Sequence, residues 1–303
     1  MFLLRKIPSI FLTLFVLASL SFLLMRTVPG GPFDSEKSLP PEIKANIEAK
    51  YQLNQPIWRQ YTQYLGSLAR GDFGPSYKYI GRSVNEIIAE SLPTSIVLGV
   101  YALLFALLLG LPLGVLSAYK QNTWLDFSSM FFAVAGVSAP NYLVAALLIY
   151  VFFMRLNWLP PAIWKDYSYS ILPTITLGMR PAALIARLTR AALLESIHAD
   201  YVRTARAKGL GEFAVIMKHA LRNSLIPVIT LLGPLTAYLV SGTFVVEYIF
   251  AIPGMGRHFI NAVSNCDYPL IMGVTIIYGI ILIMSNLLVD LAYRLADPRV
   301  RLS

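Results

Sequence analysis

A chain of 303 residues that is 56% hydrophobic and only 14% charged, with a mean hydropathy of +0.62, is too apolar for a soluble globular domain. Its formal charge of +9 fits basic loops on the cytoplasmic side of a membrane better than it fits nucleic-acid binding. A single cysteine, Cys266, excludes an intramolecular disulfide framework and leaves the redox compartment open.

Six apolar runs, at 8–25, 95–118, 128–153, 171–193, 226–246 and 270–293, are long enough to cross a bilayer. The expected fold is an all-α membrane protein of six transmembrane helices. Arg5 and Lys6 precede the first run as they would in a secretory signal. That run is about 18 residues long, however, and ends in Leu24-Met25-Arg26 without a small-x-small cleavage site, so it reads as an uncleaved span. Lysines and arginines set the orientation. Arg5, Lys6, Lys120, Arg203, Arg206, Lys208, Lys218, Arg222, Arg294, Arg299 and Arg301 fall on one side, whereas the short opposite connections hold only Arg155, Lys165 and Arg257. Both termini are therefore expected in the cytoplasm. The chain divides into a first transmembrane helix (1–25), an external segment (26–94), a membrane domain (95–295) containing a cytoplasmic loop (199–224), and a tail (296–303). The external segment is expected to hold turns around Pro29 and Pro32, a polar helix near 41–50, and the aromatics Tyr51, Trp58, Tyr61 and Tyr64.

Small or helix-perturbing residues punctuate the runs: Gly110, Pro112, Gly114, Gly136, Pro140, Pro173, Gly178, Gly233, Pro234, Ser241 and Gly242. In lipid such residues let helices approach closely, and most of them read as packing positions. The candidates for a path through the bundle are Arg180, Gly233, Pro234, Ser241 and Gly242. Arg180 either faces a water-filled cavity or marks a fourth span that starts later than drawn. Arg187 and Arg190 are near enough to the cytoplasmic end to snorkel toward phosphates. Asp290 and Arg294 form an i,i+4 pair that reads as an anchor.

The loop from Asp200 to Asn223 is the most informative stretch. Asp200 can cap a short helix through Lys208, Gly209 can end it in the left-handed conformation, and a second helix follows Gly211. On that second helix Phe213, Ile216, Met217, Ala220 and Leu221 form one apolar stripe, with Lys218 and Arg222 off it. Two short helices joined at a glycine bend either pack on the base of the bundle or project as a knob into a groove on a soluble partner.

Tyr201-Val-Arg-Thr-Ala-Arg-Ala-Lys-Gly-Leu210 resembles the EAA loop of bacterial ABC importer permeases, in the branch that carries peptides and nickel. Arg203-Thr204-Ala205 stands in place of Glu-Ala-Ala, with Gly209 at the expected spacing, and His219-Ala220-Leu221-Arg222 replaces Ile-x-Leu-Pro. Further segments resemble the same family in order along the chain. They are Arg26-x-x-Pro-Gly-x-Pro32, Tyr51-Gln-Leu-Asn-Gln-Pro56, Gln60-Tyr61, Tyr64-Leu65, Gly71-Asp-Phe-Gly-x-Ser76, Pro253-Gly-x-Gly256, Asp267-Tyr-Pro269, Asn286-Leu-x-x-Asp290 and Asp297-Pro-Arg299. Residues 39–50 look most like the oligopeptide B-type permease.

The resemblance implies a multi-pass inner-membrane subunit that pairs with a second, C-type permease. Two cytoplasmic ATPase subunits would power the pair, and an external peptide-binding protein would supply it. ATP and Mg would sit on the ATPases, since this chain has no Gly-x-x-x-x-Gly-Lys-Ser/Thr loop. The implied coupling loop comprises Tyr201, Arg203, Thr204, Ala205, Arg206, Lys208, Gly209 and Leu210. Ala205 and Gly209 would allow close approach of the partner. Arg203, Arg206 and Lys208 would pair with acidic groove residues or remain solvated. The 26–94 segment would either meet the binding protein or shield the bundle's outer face. Cargo in the wider family includes oligopeptides, dipeptides, nickel chelates and antimicrobial peptides. An ATP-independent carrier or channel would need central acids, and only Glu247 and Asp290 lie near span ends. A membrane-embedded hydrolase would need a nucleophile–base pair that the sequence does not offer. No metal site is expected, because His198, His219 and His258 are dispersed.

Overall fold

The computed structural model describes residues 2–27, 53–241 and 244–296, with side chains described for 6–27, 53–240 and 244–291. The expected turns at Pro29 and Pro32, the 41–50 helix, Tyr51, Gly242, the Ser241 and Arg294 side chains, and the tail from Asp297 lie outside the described residues.

The described chain is helical, with one isolated bridge between Pro75 and Ser83 and no strand. In order the helices are α1 (Phe2–Thr27), α2 (Ile57–Leu68), α3 (Val84–Tyr119), α4 (Trp124–Ser138), α5 (Asn141–Leu148), α6 (Tyr167–Ile197), α7 (Asp200–Ala207), α8 (Glu212–Ala214), α9 (Leu221–Ser241), α10 (Phe244–Ile249), α11 (Met255–Ser264) and α12 (Tyr268–Ala296). π-Helical segments follow α5 at Ile149–Arg155 and α8 at Val215–Ala220. Five helical stretches are long and apolar enough to cross a membrane, and six if the bent α4–α5 pair is one span.

That pair changes the expected third span. The chain turns by 109° between α4 and α5 instead of running straight through 128–153. Pro140 explains the break: it forces the preceding residue out of the helical region, and Ala139 is extended at φ −75°, ψ 126°. The second span also begins earlier than expected, at Val84. There Ser83 and Glu86 form a reciprocal capping box, with each backbone N–H bonded to the other's side chain at 3.2 Å.

The chain divides into two compact units, Met1–Thr94 with Pro253–Ile281 and Ser95–Ile252 with Leu282–Ser303. The first is built around Phe22, Val84, Ile87, Met255, Tyr268 and Leu270, with Tyr61, Tyr64 and Phe73 packed against them. In the second, α3 and α6 meet at very close range through glycines. A Cβ on Gly110 would lie 2.6 Å from Ala182 O, and one on Gly114 would lie 2.6 Å from Ala186 O. Gly178 answers from the other helix, where a Cβ would lie 2.8 Å from Ala102 O. Burying apolar surface gives no drive for helix association in lipid, so contact at this range supplies the dispersion energy instead.

Candidate functional site: the 200–222 projection and the membrane-embedded charges

The 200–222 segment forms the expected helix–bend–helix. Ala199, extended at φ −72°, ψ 151°, occupies the cap position, so Asp200 is the first helical residue and not the cap. Its carboxylate lies 3.6 Å from Arg203 one turn on. Gly209 makes the bend at φ +77°, a conformation that a side chain disfavours, with open space where a Cβ would stand. Arg206 reaches across the bend to Glu212 with two parallel bonds, Nε to Oε2 at 3.0 Å and Nη2 to Oε1 at 2.7 Å. Arg206 thus braces its own loop. Glu212 was not singled out from the sequence, because the contact exists only once Gly209 has turned the chain.

The inner face of the projection is firmly seated. Val202, Ala205, Val215, Ile216 and Ala220 are buried with Leu193 of α6 and Ala118 of α3. The anchoring stripe differs from the expected one: Phe213 is 77% exposed and Met217 42% exposed, while Val215 is fully buried. The cause is the π-helical winding of Val215–Ala220. Its i→i+5 bonding widens the turn and brings residues five apart onto one side. Ala205, expected to face a partner, faces the bundle. Tyr201, Arg203, Thr204, Lys208, Leu210, Phe213 and Met217 are all exposed. The projection therefore couples an apolar anchor to an outer surface that mixes aromatic, apolar and basic groups.

Three arginines lie on α6, and the structure treats them differently. Arg190 is bidentate to Asp126 of α4, and Asp126 also accepts from Ser117 Oγ of α3 and from the Asn122 N–H at 3.0 Å. Arg190 therefore does not snorkel; it clamps three helices. The acid was missed because nothing in the sequence relates Asp126 to a residue 64 positions later. Arg180 sits mid-helix in α6, which starts at Tyr167, so the fourth span does not begin late. Arg180 and Arg187 are exposed, and neither has a hydrogen-bond or ion-pair partner among the described residues. Buried Glu247 of α10 accepts from buried Ser95 of α3 at 2.7 Å. Of the other path candidates, Pro234 is exposed on α9. Gly233 is buried where a Cβ would lie 2.8 Å from Asn286 Oδ1 of α12, a packing position.

In the unit formed by 1–94 and 253–281, motif residues far apart in sequence converge. Asp267 accepts from Ser76 Oγ and from the Tyr77 N–H at 3.1 Å, which pins the 73–83 loop to the start of α12. Arg26 donates to Gln60, and Tyr61 and Tyr64 pack on Phe22 at ring centroid distances of 5.3 and 5.7 Å. A cleft of about 280 Å³ opens between Arg26, Gln60, Tyr64, Phe73, Tyr77 and Met272. Burial pushes the Tyr64 phenol up to about 12, and its hydroxyl has no partner among the described residues. His258, 3.3 Å from the Tyr79 hydroxyl, is pushed below its ordinary value by burial and by the Arg82 and Arg257 charges.

The chain is 45% identical over 301 residues to the dipeptide transport system permease protein DppB of Bacillus subtilis, covering 99% of this chain and 98% of that one. It is 44% identical over 302 residues to the oligopeptide transport system permease protein OppB of Haemophilus influenzae and 45% identical to OppB of Salmonella typhimurium, in both cases covering 99% of each chain. Among solved structures it resembles an inward-facing MetNI methionine ABC transporter, with TM-score 0.56 at 17% identity, covering 70% of this chain and 96% of that one. It resembles an amino acid ABC transporter with histidines to the same degree, with TM-score 0.56 at 15% identity, covering 69% and 94%. At that identity the likeness speaks for the fold. The N-terminal family of binding-protein-dependent transport system membrane components matches residues 1–99. Residues 110–302 match the binding-protein-dependent transport system inner membrane components, and the chain belongs to that family of membrane permeases.

Proposed function

We propose that this chain is a permease subunit of an ATP-driven, binding-protein-dependent importer, and that it forms half of a translocation path for oligopeptides. A second permease subunit completes the path, two cytoplasmic ATPases bind ATP and Mg, and an external peptide-binding protein delivers the cargo. Both termini lie on the cytoplasmic side of the bacterial inner membrane. The single observation that carries this is the 200–222 projection, seated by Val202, Ala205, Val215 and Ile216 and outwardly exposed at Tyr201, Arg203, Lys208, Leu210 and Phe213.

When the ATPases close, their surface displaces the exposed side of the projection. The Arg206–Glu212 brace lets the two short helices move together. Displacement then passes by packing to Leu193 of α6, and through the π-helical segment directly into α9. Arg180, Pro234, Ser241 and Gly242 are our candidates for the path lining. Gly233 is better suited to packing. Dipeptides are the alternative cargo, since DppB of Bacillus subtilis is as similar to this chain as the oligopeptide permeases are.

The test is uptake and ATP hydrolysis by the assembled transporter carrying a deletion of 203–210. We expect the ATPases to lose their stimulation by loaded binding protein, with uptake abolished. Unchanged coupling would exclude the projection as the contact.

A further inference from the structure

α6 has the largest buried share of the five candidate spans among the described residues, yet one lane of it is open. Arg180, Arg187, Ala191 and Glu195 are exposed at spacings of seven, four and four residues, which places them on one helical face. Toward the opposite end the same face is closed: Pro173 and Leu177 are buried, and Leu177 packs within a cluster that includes Leu172, Leu239, Val246, Phe250 and Ile252. The open lane therefore begins at Arg180 and runs to the end of the helix that bears the 200–222 projection.

Two guanidinium groups on this lane, unpaired among the described residues, need an environment. Arg180 lies two residues from the middle of the 171–193 apolar run, about 3 Å along the axis, so neither bilayer surface is near. Facing hydrocarbon there is strongly unfavourable, and arginines within spans characteristically face water or an anion. Arg187 follows about 10 Å farther along the same lane. Neither has a partner among the described residues, unlike Arg190, whose fork is filled by Asp126.

We infer that Arg180 and Arg187 form a cationic lane that recognises the C-terminal carboxylate of the transported peptide. This rests on the importer role proposed above. The guanidinium fork matches a carboxylate in bidentate geometry. Every peptide with a free C-terminus carries that group whatever its side chains, so a fixed cationic lane suits cargo of varied sequence. Two successive cations offer two stations, and Glu195 nearer the exit opposes lasting retention of an anion. The lane thus guides a carboxylate without trapping it.

The experiment uses the complete transporter in vesicles, with radiolabelled tetra-alanine as the free acid and as the C-terminal amide, both at saturating binding protein. The readout is the acid-to-amide ratio of maximal uptake rates. In the unmodified transporter this ratio is expected to exceed one by roughly tenfold, the effect of a single charge-assisted contact. Arg180→Gln should bring it close to one by slowing the acid far more than the amide, and Arg180→Lys, which keeps the charge but loses the fork, should retain only part of it. If both peptides slow by the same factor, the arginine pairs with an acid of the second permease subunit or with a lipid phosphate, and the inference is overturned. A ratio near one before any substitution overturns it as well. If Arg180→Gln does not accumulate in membranes, Arg187→Gln is scored by the same ratio. Failure of the unmodified transporter to move either peptide would count against the importer role itself, a separate outcome.

Discussion

Arg190 grips Asp126 through two parallel hydrogen bonds, Nε to Oδ1 at 2.7 Å and Nη2 to Oδ2 at 2.8 Å, joining α6 to α4. Ser117 of α3 bonds to the same carboxylate, so three helices share one charge pair. Removing either partner leaves the other charge uncompensated, which costs about 3–5 kcal/mol. We expect Arg190→Ala and Asp126→Ala each to lower the unfolding temperature in detergent sharply. Asp126→Leu combined with Arg190→Met should recover most of the loss, because no charge is then stranded. A double variant no better than either single one would refute the clamp.

Gly209 can be tested by its backbone alone. At φ +77° with nothing within 4 Å of a built Cβ, Gly209→Ala meets no steric neighbour and costs only the left-handed conformation, about 1–2 kcal/mol. The bend should loosen while the membrane spans stay intact. Binding-protein-stimulated ATP hydrolysis should therefore fall severalfold with little change in membrane content. Arg206→Gln, which removes the brace to Glu212, should act in the same direction.

The glycines of the membrane unit should not be equally replaceable. A Cβ at Gly114 would lie 2.6 Å from both Ala186 O and Thr189 Cβ, whereas at Gly136 the nearest atom, Ala183 Cβ, is 3.5 Å away. Gly114→Ala must force α3 and α6 apart, an overpacking cost of about 1–3 kcal/mol. Gly136→Ala should be nearly neutral. Comparing thermal denaturation of the two purified variants decides the matter, and equal effects would contradict the packing described here.

Asp267 organises the loop that contains Ser76 and Tyr77. Asp267→Ala strands buried donors at about 1–3 kcal/mol apiece. The 73–83 segment should then open to trypsin at Lys78 and Arg82, with cleavage at least tenfold faster than in the unmodified protein. Unaltered protection would show that the loop is held by other means.

His258 gives this same unit a pH dependence of known sign. Burial and two nearby arginines depress its folded value below the ordinary 6.5, so the folded state binds fewer protons than the unfolded one. The resulting stability is fully present above about pH 6.5 and is lost as pH falls through the depressed value. Denaturation of the unmodified protein should therefore ease as the pH falls below about 6.5. His258→Gln should flatten that slope, which a thermal melt across the pH range would read directly.

The apolar stretches able to cross a bilayer, though not the 109° bend between α4 and α5, followed from sequence alone, because spanning demands long runs whose backbone bonds are satisfied within the segment. Gly209 likewise announced its bend, since a glycine between two helical patterns admits few alternatives. Two local signals mark limits that the apolar runs alone misplaced: Pro140 breaks the third span, and Ser83 with Glu86 starts the second one early. The pairing of Arg190 with Asp126 and of Ser76 with Asp267, and the exposure of Arg180 and Arg187, were decided only by tertiary structure. Each depends on which faces of separate helices meet, and helix periodicity fixes a face without naming its partner. The apolar stripe at 213–221 shows the same limit within one segment, because a π turn chosen by packing rotated Phe213 outward and Val215 in.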